Sequence, residues 1–381
     1  MLIERPLRAV HVSFHADRER RAPDQLLAAW PTLSDVASAL HRSGVDVSVV
    51  QRAHATGTVE RHGVSYHFVD DASRIPRRMI VHVASLAPDV IHVRGIHHMA
   101  AVAALTRSCD APVLLQDHAT RIPGGWRATA WRWALRSVAG AAFTTVEQAR
   151  PFRDAGLFRD DMPIFPVLEG SSAFTPDDRN EARRVTGMFG DPCLLWTGRL
   201  DDNKDPLTLL GAIERVARKL PDVRLWMCYG KAPSLDAVRH RIAESELLRE
   251  RVVLLGTRPH AELELRHRAA DFYVQTSHHE AGGFSLLEAI ACGTTPIVTD
   301  IPAARRIVGD VGALVPVENP SALAAAIVSF WRMHEGDEAD YLPRALATKH
   351  RVRARFDAAL SYDAIALELR SAYGALAAAR V

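Results

Sequence analysis

Residues 271–299 fix the order of local structure more strictly than any other stretch of the chain. Residues 271–276 and 295–299 are short apolar runs typical of buried strands. Between them lie the pair Gly282-Gly283 and an apolar segment at 286–291 with helical spacing. The order strand, glycine-rich loop, helix, strand predicts an α/β unit with a parallel sheet. The helix N-terminus offers backbone N–H groups and a partial positive charge, and phosphate is the usual ligand there.

Two carboxylates, Glu280 and Glu288, flank this glycine pair. Ser285 and Glu288 have the spacing of a capping box, in which the glutamate side chain accepts from the N-cap amide. A capping role and a ligand-binding role for Glu288 are therefore both open. A carboxylate beside a helix N-terminus competes with any bound phosphate unless it faces another part of the ligand. The position of Glu280 therefore favours a functional role for this residue.

The composition is that of an ordinary globular protein. The chain has 381 residues, 48% of them hydrophobic and 24% charged, which predicts two domains of usual size. A net charge of +2 gives no reason to expect a nucleic-acid partner. The four cysteines are widely separated, which favours reduced cytosolic thiols over disulfides or a metal site. Neither a signal peptide nor a spanning helix is recognisable, so we expect a cytoplasmic protein.

A loop with two cationic residues precedes another predicted helix. Residues 194–198 read as a strand ending at Gly198, and Arg199 and Lys204 follow before the helix at 207–220. A guanidinium can bind two phosphate oxygens at once, and an ammonium supplies a compact charge. The alternative is that both cations are solvated loop charges beside acidic neighbours.

The N-terminal half begins with a strand, helix, strand pattern. A later apolar run, residues 111–118, ends at His118. Open parallel sheets bind ligands at the carboxyl ends of their strands, so His118 is either a ligand-facing residue or a structural hydrogen bonder.

Aromatic and basic residues alternate in residues 121–140. The stretch contains Trp126, Arg127, Trp131, Arg132, Trp133 and Arg136. One interpretation is peripheral contact with an anionic membrane at its inner face, or with a lipid-linked acceptor. The other is a helix whose tryptophan face lies in the core and whose arginine face is solvated.

The two glutamates, the glycine between them and the run Glu288 to Pro296 resemble the signature of retaining glycosyltransferases of family 4. These enzymes have the GT-B fold, an α/β architecture with two Rossmann-like domains facing across a cleft. The resemblance implies that residues 1–170 form the acceptor domain and residues 171–355 the nucleotide-sugar domain. Residues 356–381 would form a C-terminal helix that packs back on the first domain.

The resemblance also implies roles for single residues. Glu288 would hydrogen-bond the ribose, and Glu280 would lie by the donor sugar and the reacting centre. Arg199 and Lys204 resemble the family's diphosphate clamp, and His118 its histidine near the donor sugar. The implied donor-binding residues are Gly198, Arg199, Lys204, Glu280, Gly282, Gly283, Phe284, Ser285 and Glu288. The implied catalytic residues are Glu280, His118, Arg199 and Lys204.

The activity implied by the resemblance is transfer of a sugar from a nucleoside-diphosphate sugar to an acceptor, with retained configuration. Cations and amides would replace a metal ion, so no metal and no other cofactor is expected. His278, His279 and Glu280 are adjacent but lack the further ligands of a zinc site. The configuration could be retained in two ways: Glu280 could act as a covalent nucleophile, or the leaving phosphate could guide the acceptor onto the same face of the sugar. The resemblance favours the second route.

Three other functions stay open at this stage. They are a GT-B-type sugar-nucleotide epimerase, a phosphorylase, and a catalytically inactive sugar-nucleotide binding protein. The third is kept because residues 29–32, 167–172 and 301–306 depart from the family's pattern. The sugar, the base, the acceptor and the oligomeric state are not specified by the sequence.

Overall fold

Strands and helices alternate along the chain in the computed structural model, which describes residues 5–117, 122–333 and 338–379. His118, one of the predicted site residues, lies outside the described residues. Up to residue 170 the elements are, in order, β1 (Arg8–Ser13), α1 (Pro23–Ala29), α2 (Pro31–Arg42), β2 (Asp46–Ala53), β3 (Gly57–Arg61), β4 (Val64–Asp70), α3 (Arg77–Ser85), β5 (Val90–Arg94), α4 (Met99–Ser108), β6 (Val113–Gln116), α5 (Trp126–Leu135), β7 (Gly140–Phe143), α6 (Arg150–Asp154) and β8 (Ile164–Pro166).

The rest of the chain continues the same alternation and ends in two long helices. Its elements are, in order, α7 (Arg179–Thr186), β9 (Cys193–Gly198), α8 (Pro206–Ala217), β10 (Arg224–Tyr229), α9 (Leu235–Ala243), α10 (Glu246–Arg251), β11 (Val252–Gly256), α11 (His260–Ala269), β12 (Phe272–Gln275), α12 (Phe284–Ala291), β13 (Thr295–Thr299), α13 (Pro302–Val308), β14 (Ala313–Val315), α14 (Pro320–Arg332), α15 (Glu338–Ala359) and α16 (Tyr362–Ala378).

The chain divides into two units. The first comprises Met1–Gly170 and Tyr362–Val381, and the second comprises Ser171–Ser361. The first unit contains a sheet of order β3-β4-β2-β1-β5-β6-β7-β8. Its neighbouring strands run parallel, apart from the antiparallel pair of β3 and β4. The predicted α/β architecture with parallel sheets is confirmed.

Helix α16 is part of the first unit and is anchored in its core by one tyrosine. The Tyr373 hydroxyl lies 2.8 Å from Nε2 of His11 and 2.6 Å from Nδ1 of His92. Both histidines are on the central strands β1 and β5 and are fully buried. Burial, together with the nearby Arg94, lowers the pKa of His11 to about 3, so this ring is neutral at neutral pH.

The second unit has a sheet of order β11-β10-β9-β12-β13-β14, with all neighbouring strands parallel. Helices cover both faces of such a sheet, which is why consecutive residues of β9, including Leu194, Leu195 and Trp196, are all fully buried. The strand order reverses between β9 and β12. Open α/β sheets bind ligands outside the carboxyl ends of the strands at such a reversal.

The tryptophans of helix α5 do not all face the core, although one of the two interpretations of this segment predicted that they would. Trp126 and Trp133 are exposed, so the interpretation in which the tryptophan face lies in the core is wrong for these two residues. Only Trp131 packs against the core of the first unit, as a partly buried side chain. None of the helices within the described ranges is both long enough and apolar enough to cross a membrane.

Candidate functional site

The loop between β9 and α8 is fixed directly after the strand. Asp205 is the N-cap of α8, and its carboxylate accepts a hydrogen bond from the N–H of Thr208 at 3.1 Å. Pro206 occupies the first helical turn, where its missing N–H costs nothing. The Lys204 N–H donates to Oδ1 of Asp201 at 3.1 Å. This short loop therefore holds its two predicted cations at the carboxyl end of β9.

The loop that follows β12 is hydrogen-bonded to this first loop. The Thr276 hydroxyl donates to the carbonyl oxygens of Lys204 and Asp205, at 2.8 and 2.9 Å. The Asn203 side chain donates to the His279 carbonyl at 3.0 Å and accepts from the His279 N–H at 3.1 Å. The two loops consequently lie side by side at the point where the strand order reverses.

An ion pair joins the two loops. Nζ of Lys204 donates to Oε1 of Glu280, which also accepts from Nε2 of Gln275 at 3.0 Å. The two paired side chains are only 17% and 14% exposed, so Lys204 is not a solvated loop charge. Arg199, by contrast, is 58% exposed and pairs with Asp201 at 2.9 Å. The structure thus brings Lys204 and Glu280 together, whereas Arg199 contacts an acidic neighbour in its own loop.

Helix α12 begins next to this ion pair, and a glycine makes the turn into it. Gly283 is the N-cap, with a φ of 62° in the left-handed region that favours glycine. A Cβ at this position would lie 2.9 Å from Cδ1 of Ile307. Ser285 is the second residue of the helix rather than its N-cap, and the described α12 has no side-chain cap. The capping-box alternative for Ser285 and Glu288 is therefore wrong.

Glu288 instead faces α11. Its Oε1 lies 2.9 Å from Nε2 of His260, and its Oε2 lies 3.7 Å from Nε2 of the fully buried His267. Burial by itself raises the pKa of Glu288, but the contacts with His260 and His267 outweigh it and lower this pKa to about 2. The same hydrogen bond raises the pKa of His260. Glu288 is therefore ionised throughout the neutral pH range.

Sequence reasoning missed four residues that organise this site: Asn203, His260, His267 and Gln275. His260 and His267 are seven positions apart on α11, which puts them on the same helix face. That spacing was available as a signal, but it did not say which helix the face would contact. Gln275 is the last residue of β12 and so lies at the ligand-binding edge of the sheet.

The remaining predicted residues surround the same edge. Gly198 is the last residue of β9, and a Cβ there would lie 3.4 Å from the Trp196 ring and 3.6 Å from Cε of Lys204. Gly282 is buried and Phe284 is 40% exposed. Cations, helix amides and two carboxylates together suit a ligand that carries both phosphate and hydroxyl groups. Within the described ranges, no three His, Cys, Asp or Glu side chains are placed to hold a metal ion.

Known proteins with similar sequences are glycosyltransferases. Residues 178–340 match the family model of glycosyl transferases group 1. The D-inositol 3-phosphate glycosyltransferase of Geodermatophilus obscurus is 38% identical over 164 residues, which cover 40% of this chain and 36% of that relative. The GDP-mannose:cellobiosyl-diphosphopolyprenol alpha-mannosyltransferase of Xanthomonas oryzae pv. oryzae is 26% identical over 262 residues, which cover 67% of each chain.

The structural comparison covers the whole fold. The crystal structure of Anabaena HepE in complex with UDP matches 97% of this chain and 100% of its own length, with a TM-score of 0.66 and 16% identity. At that identity the likeness shows the fold alone, and the match to the family model covers residues 178–340, less than half of the chain. The resemblance carried by Glu280, Glu288 and the glycines between them is confirmed. The chain has a GT-B fold, and its residues 178–340 are similar to the glycosyl transferases group 1.

Proposed function

We propose that this protein is a glycosyltransferase that moves a sugar from a nucleoside-diphosphate sugar to an acceptor with retained anomeric configuration. One observation carries the proposal: the Lys204–Glu280 ion pair lies beside the N-terminus of α12, at the strand-order reversal of the second sheet. A diphosphate and a sugar are the two halves of such a donor. Two similar proteins point the same way, since HepE was solved with UDP and the Xanthomonas relative is named for GDP-mannose.

The proposed role of the cations is to stabilise charge on the leaving group. The nucleoside diphosphate gains negative charge as the glycosidic bond breaks, and Arg199 and Lys204 neutralise it together with the first amides of α12. Charges placed in this way stabilise the transition state more than the bound donor. Lys204 exchanges its contact with Glu280 for a phosphate oxygen, so the Glu280 carboxylate becomes available to the sugar hydroxyls.

The two carboxylates have different proposed roles. Glu288 is held ionised by His260 and His267, so it can accept hydrogen bonds from ribose hydroxyls at any pH near neutrality. Glu280 positions the sugar while the leaving phosphate guides the acceptor onto the same face. No metal ion takes part, because the cations and amides supply the positive charge.

The first test is binding. Melting temperatures are measured with the common nucleoside diphosphates and their sugars, since a ligand that binds the folded state raises the melting temperature. We expect one base to give a clear rise, which Arg199→Ala and Lys204→Ala reduce. Arg239→Ala and Lys219→Ala are matched controls, because both residues are exposed cations of the same unit. If no nucleotide raises the melting temperature, the proposal fails.

The second test is turnover with the donor that binds. We expect Lys204→Ala to lower the rate by roughly two orders of magnitude with the fold retained, and a chelator to leave the wild-type rate unchanged. Nuclear magnetic resonance of the product reports the anomeric configuration. Release of free nucleotide without transfer to any acceptor would instead favour a sugar-nucleotide epimerase.

A further inference from the structure

An open groove runs between α4 and α5 in the first unit, and its described lining includes none of the residues assigned to the candidate donor site. Its volume is about 1220 Å³. The floor consists of small and apolar side chains, among them Met99, Ala103, Ala130 and Ala134. These apolar side chains suit contact with an apolar group.

Two tryptophans stand at the edge of this groove and face solvent. Trp126 is 74% exposed and Trp133 is 56% exposed. They are seven residues apart, so they lie on the same face of α5. Exposed tryptophans next to an apolar groove form the kind of surface that contacts a partner or a membrane. Tryptophan in particular suits the membrane interface, where one part of the ring is apolar and the other is wet.

Arginines accompany both tryptophans. The guanidinium of Arg127 lies 5.7 Å from the centre of the Trp126 ring, and that of Arg107 lies 4.6 Å from the centre of the Trp133 ring. Arg74 is a third cation at the groove. The described lining residues include no carboxylate, and the sequence has none between Asp117 and Glu147. The surface is therefore both apolar and positively charged.

This combination decides between classes of partner. A single-stranded nucleic acid would neutralise the arginines and stack bases on the tryptophan rings, but it would leave the apolar groove without apolar contact. An anionic bilayer satisfies both, because its phosphates neutralise the arginines and the apolar boundary of its head-group region takes up the tryptophan rings.

We infer that the face formed by α4 and α5 docks on a membrane that contains anionic phospholipid. Trp126 and Trp133 enter the head-group region, and Arg74, Arg107 and Arg127 contact lipid phosphates. The inference goes beyond the proposed function and does not depend on it, because the face belongs to the first unit and the candidate donor site to the second.

Vesicle flotation of the full chain tests the inference. The vesicles contain phosphatidylcholine alone or equimolar phosphatidylcholine and phosphatidylglycerol. We expect wild-type protein to float with the anionic vesicles at least about tenfold better than with the neutral ones, and to lose this binding in high salt. The double variant Trp126→Ala/Trp133→Ala is expected to stay with the unbound fraction while it keeps the wild-type circular dichroism spectrum. The single variant Arg127→Ala should weaken binding in part.

Phe189→Ala is the matched control, because Phe189 is an exposed aromatic residue of the second unit that also has an arginine over its ring. It should float like wild type. Equal binding to both kinds of vesicle, no binding to either, or unchanged binding by the double variant would overturn the inference. The inference would also be overturned if the wild-type protein sedimented as a dimer and the double variant as a monomer, because a second copy of the chain would then cover this face. The rise in melting temperature caused by nucleotides is measured on the same proteins. A failure of the proposed donor site can then be told apart from a failure of membrane binding.

Discussion

Nε2 of His260 lies 2.9 Å from Oε1 of Glu288, which links the first residue of α11 to α12. The two partners differ in exposure, with 67% of the His260 side chain and 13% of the Glu288 side chain accessible to solvent. A histidine at the surface therefore helps to stabilise the ionised form of a mostly buried carboxylate. The candidate site depends on this contact, because it orients the carboxylate proposed to bind the ribose.

His260→Ala is expected to lower the melting temperature more at about pH 6 than at about pH 9. The contact raises the folded-state pKa of His260 above its ordinary value of 6.5, so its contribution is fully present below that pH. It is lost as the pH rises through the folded-state pKa. The imidazole is largely exposed, so we expect a loss of only about 2–4 °C. His240→Ala is the control, because the partner of His240, Glu244, is itself exposed. Equal losses at both pH values would contradict the prediction.

Glu288→Gln is expected to weaken nucleotide binding by roughly tenfold, measured by calorimetry, because a charged acceptor of hydroxyl hydrogen bonds is lost. Its effect on the melting temperature should be smaller than its effect on affinity. Glu262→Gln is the control on α11, where the carboxylate pairs with Arg266 instead. A large loss of melting temperature with normal nucleotide affinity would show that Glu288 is purely structural.

Lys204 and Glu280 should show a measurable coupling in a double-mutant cycle with alanine. Both side chains are mostly buried, so each single variant removes the opposite charge from a largely desolvated ion, and we expect a coupling of about 1–2 kcal/mol in the free energy of unfolding. Arg305 and Asp300 provide a control cycle in the same unit, where the side chains are 58% and 39% exposed. That pair should couple by less than about 1 kcal/mol. Equal coupling in the two cycles would argue against a special role for burial at Lys204.

Gly283→Ala should destabilise the second unit more than Gly187→Ala. Both glycines have a positive φ, of 62° and 68°, so each alanine carries a backbone cost of about 1 kcal/mol or more. Only at position 283 does the new Cβ meet another side chain, Cδ1 of Ile307, whereas nothing lies within 4 Å at position 187. Urea unfolding should show the difference, and Ile307→Val, which lacks Cδ1, should remove most of it. No rescue by Ile307→Val would mean that the contact is not the cause.

Tyr373→Phe should lower the free energy of unfolding of the first unit by about 1–3 kcal/mol, because the buried His11 and His92 lose a shared hydroxyl partner. Tyr66→Phe is the control. Tyr66 is equally buried, but within the described residues its hydroxyl contacts no buried histidine: it makes a long contact of 3.4 Å with the Ser34 carbonyl and a hydrogen bond with the Ser38 side chain. We expect a smaller loss for that variant, measured by urea unfolding, and equal losses would contradict the proposed anchoring of α16.

Much of the candidate site could be predicted because its parts are close in sequence. The glycine pair and the apolar run after it specify a tight turn into α12, and the apolar run before Gly198 specifies a strand that ends where Arg199 begins. These are local conformational preferences of the backbone and side chains, so they can be recognised from a few consecutive residues. The partner of Glu288 could not be predicted in the same way. Ser285 is its neighbour in sequence, but His260 is its neighbour in space.

The sequence by itself determined the alternation of strands and helices, the two loops proposed to bind phosphate and the chemical types of residue at the candidate site. Periodicity and turn chemistry act over a few residues, so they need no knowledge of the rest of the chain. Only the tertiary structure decided that Lys204 meets Glu280, that Tyr373 reaches His11 and that Trp126 faces solvent. Each of these depends on which face of a helix or loop meets which neighbour, and that choice is made by packing among segments far apart in the chain.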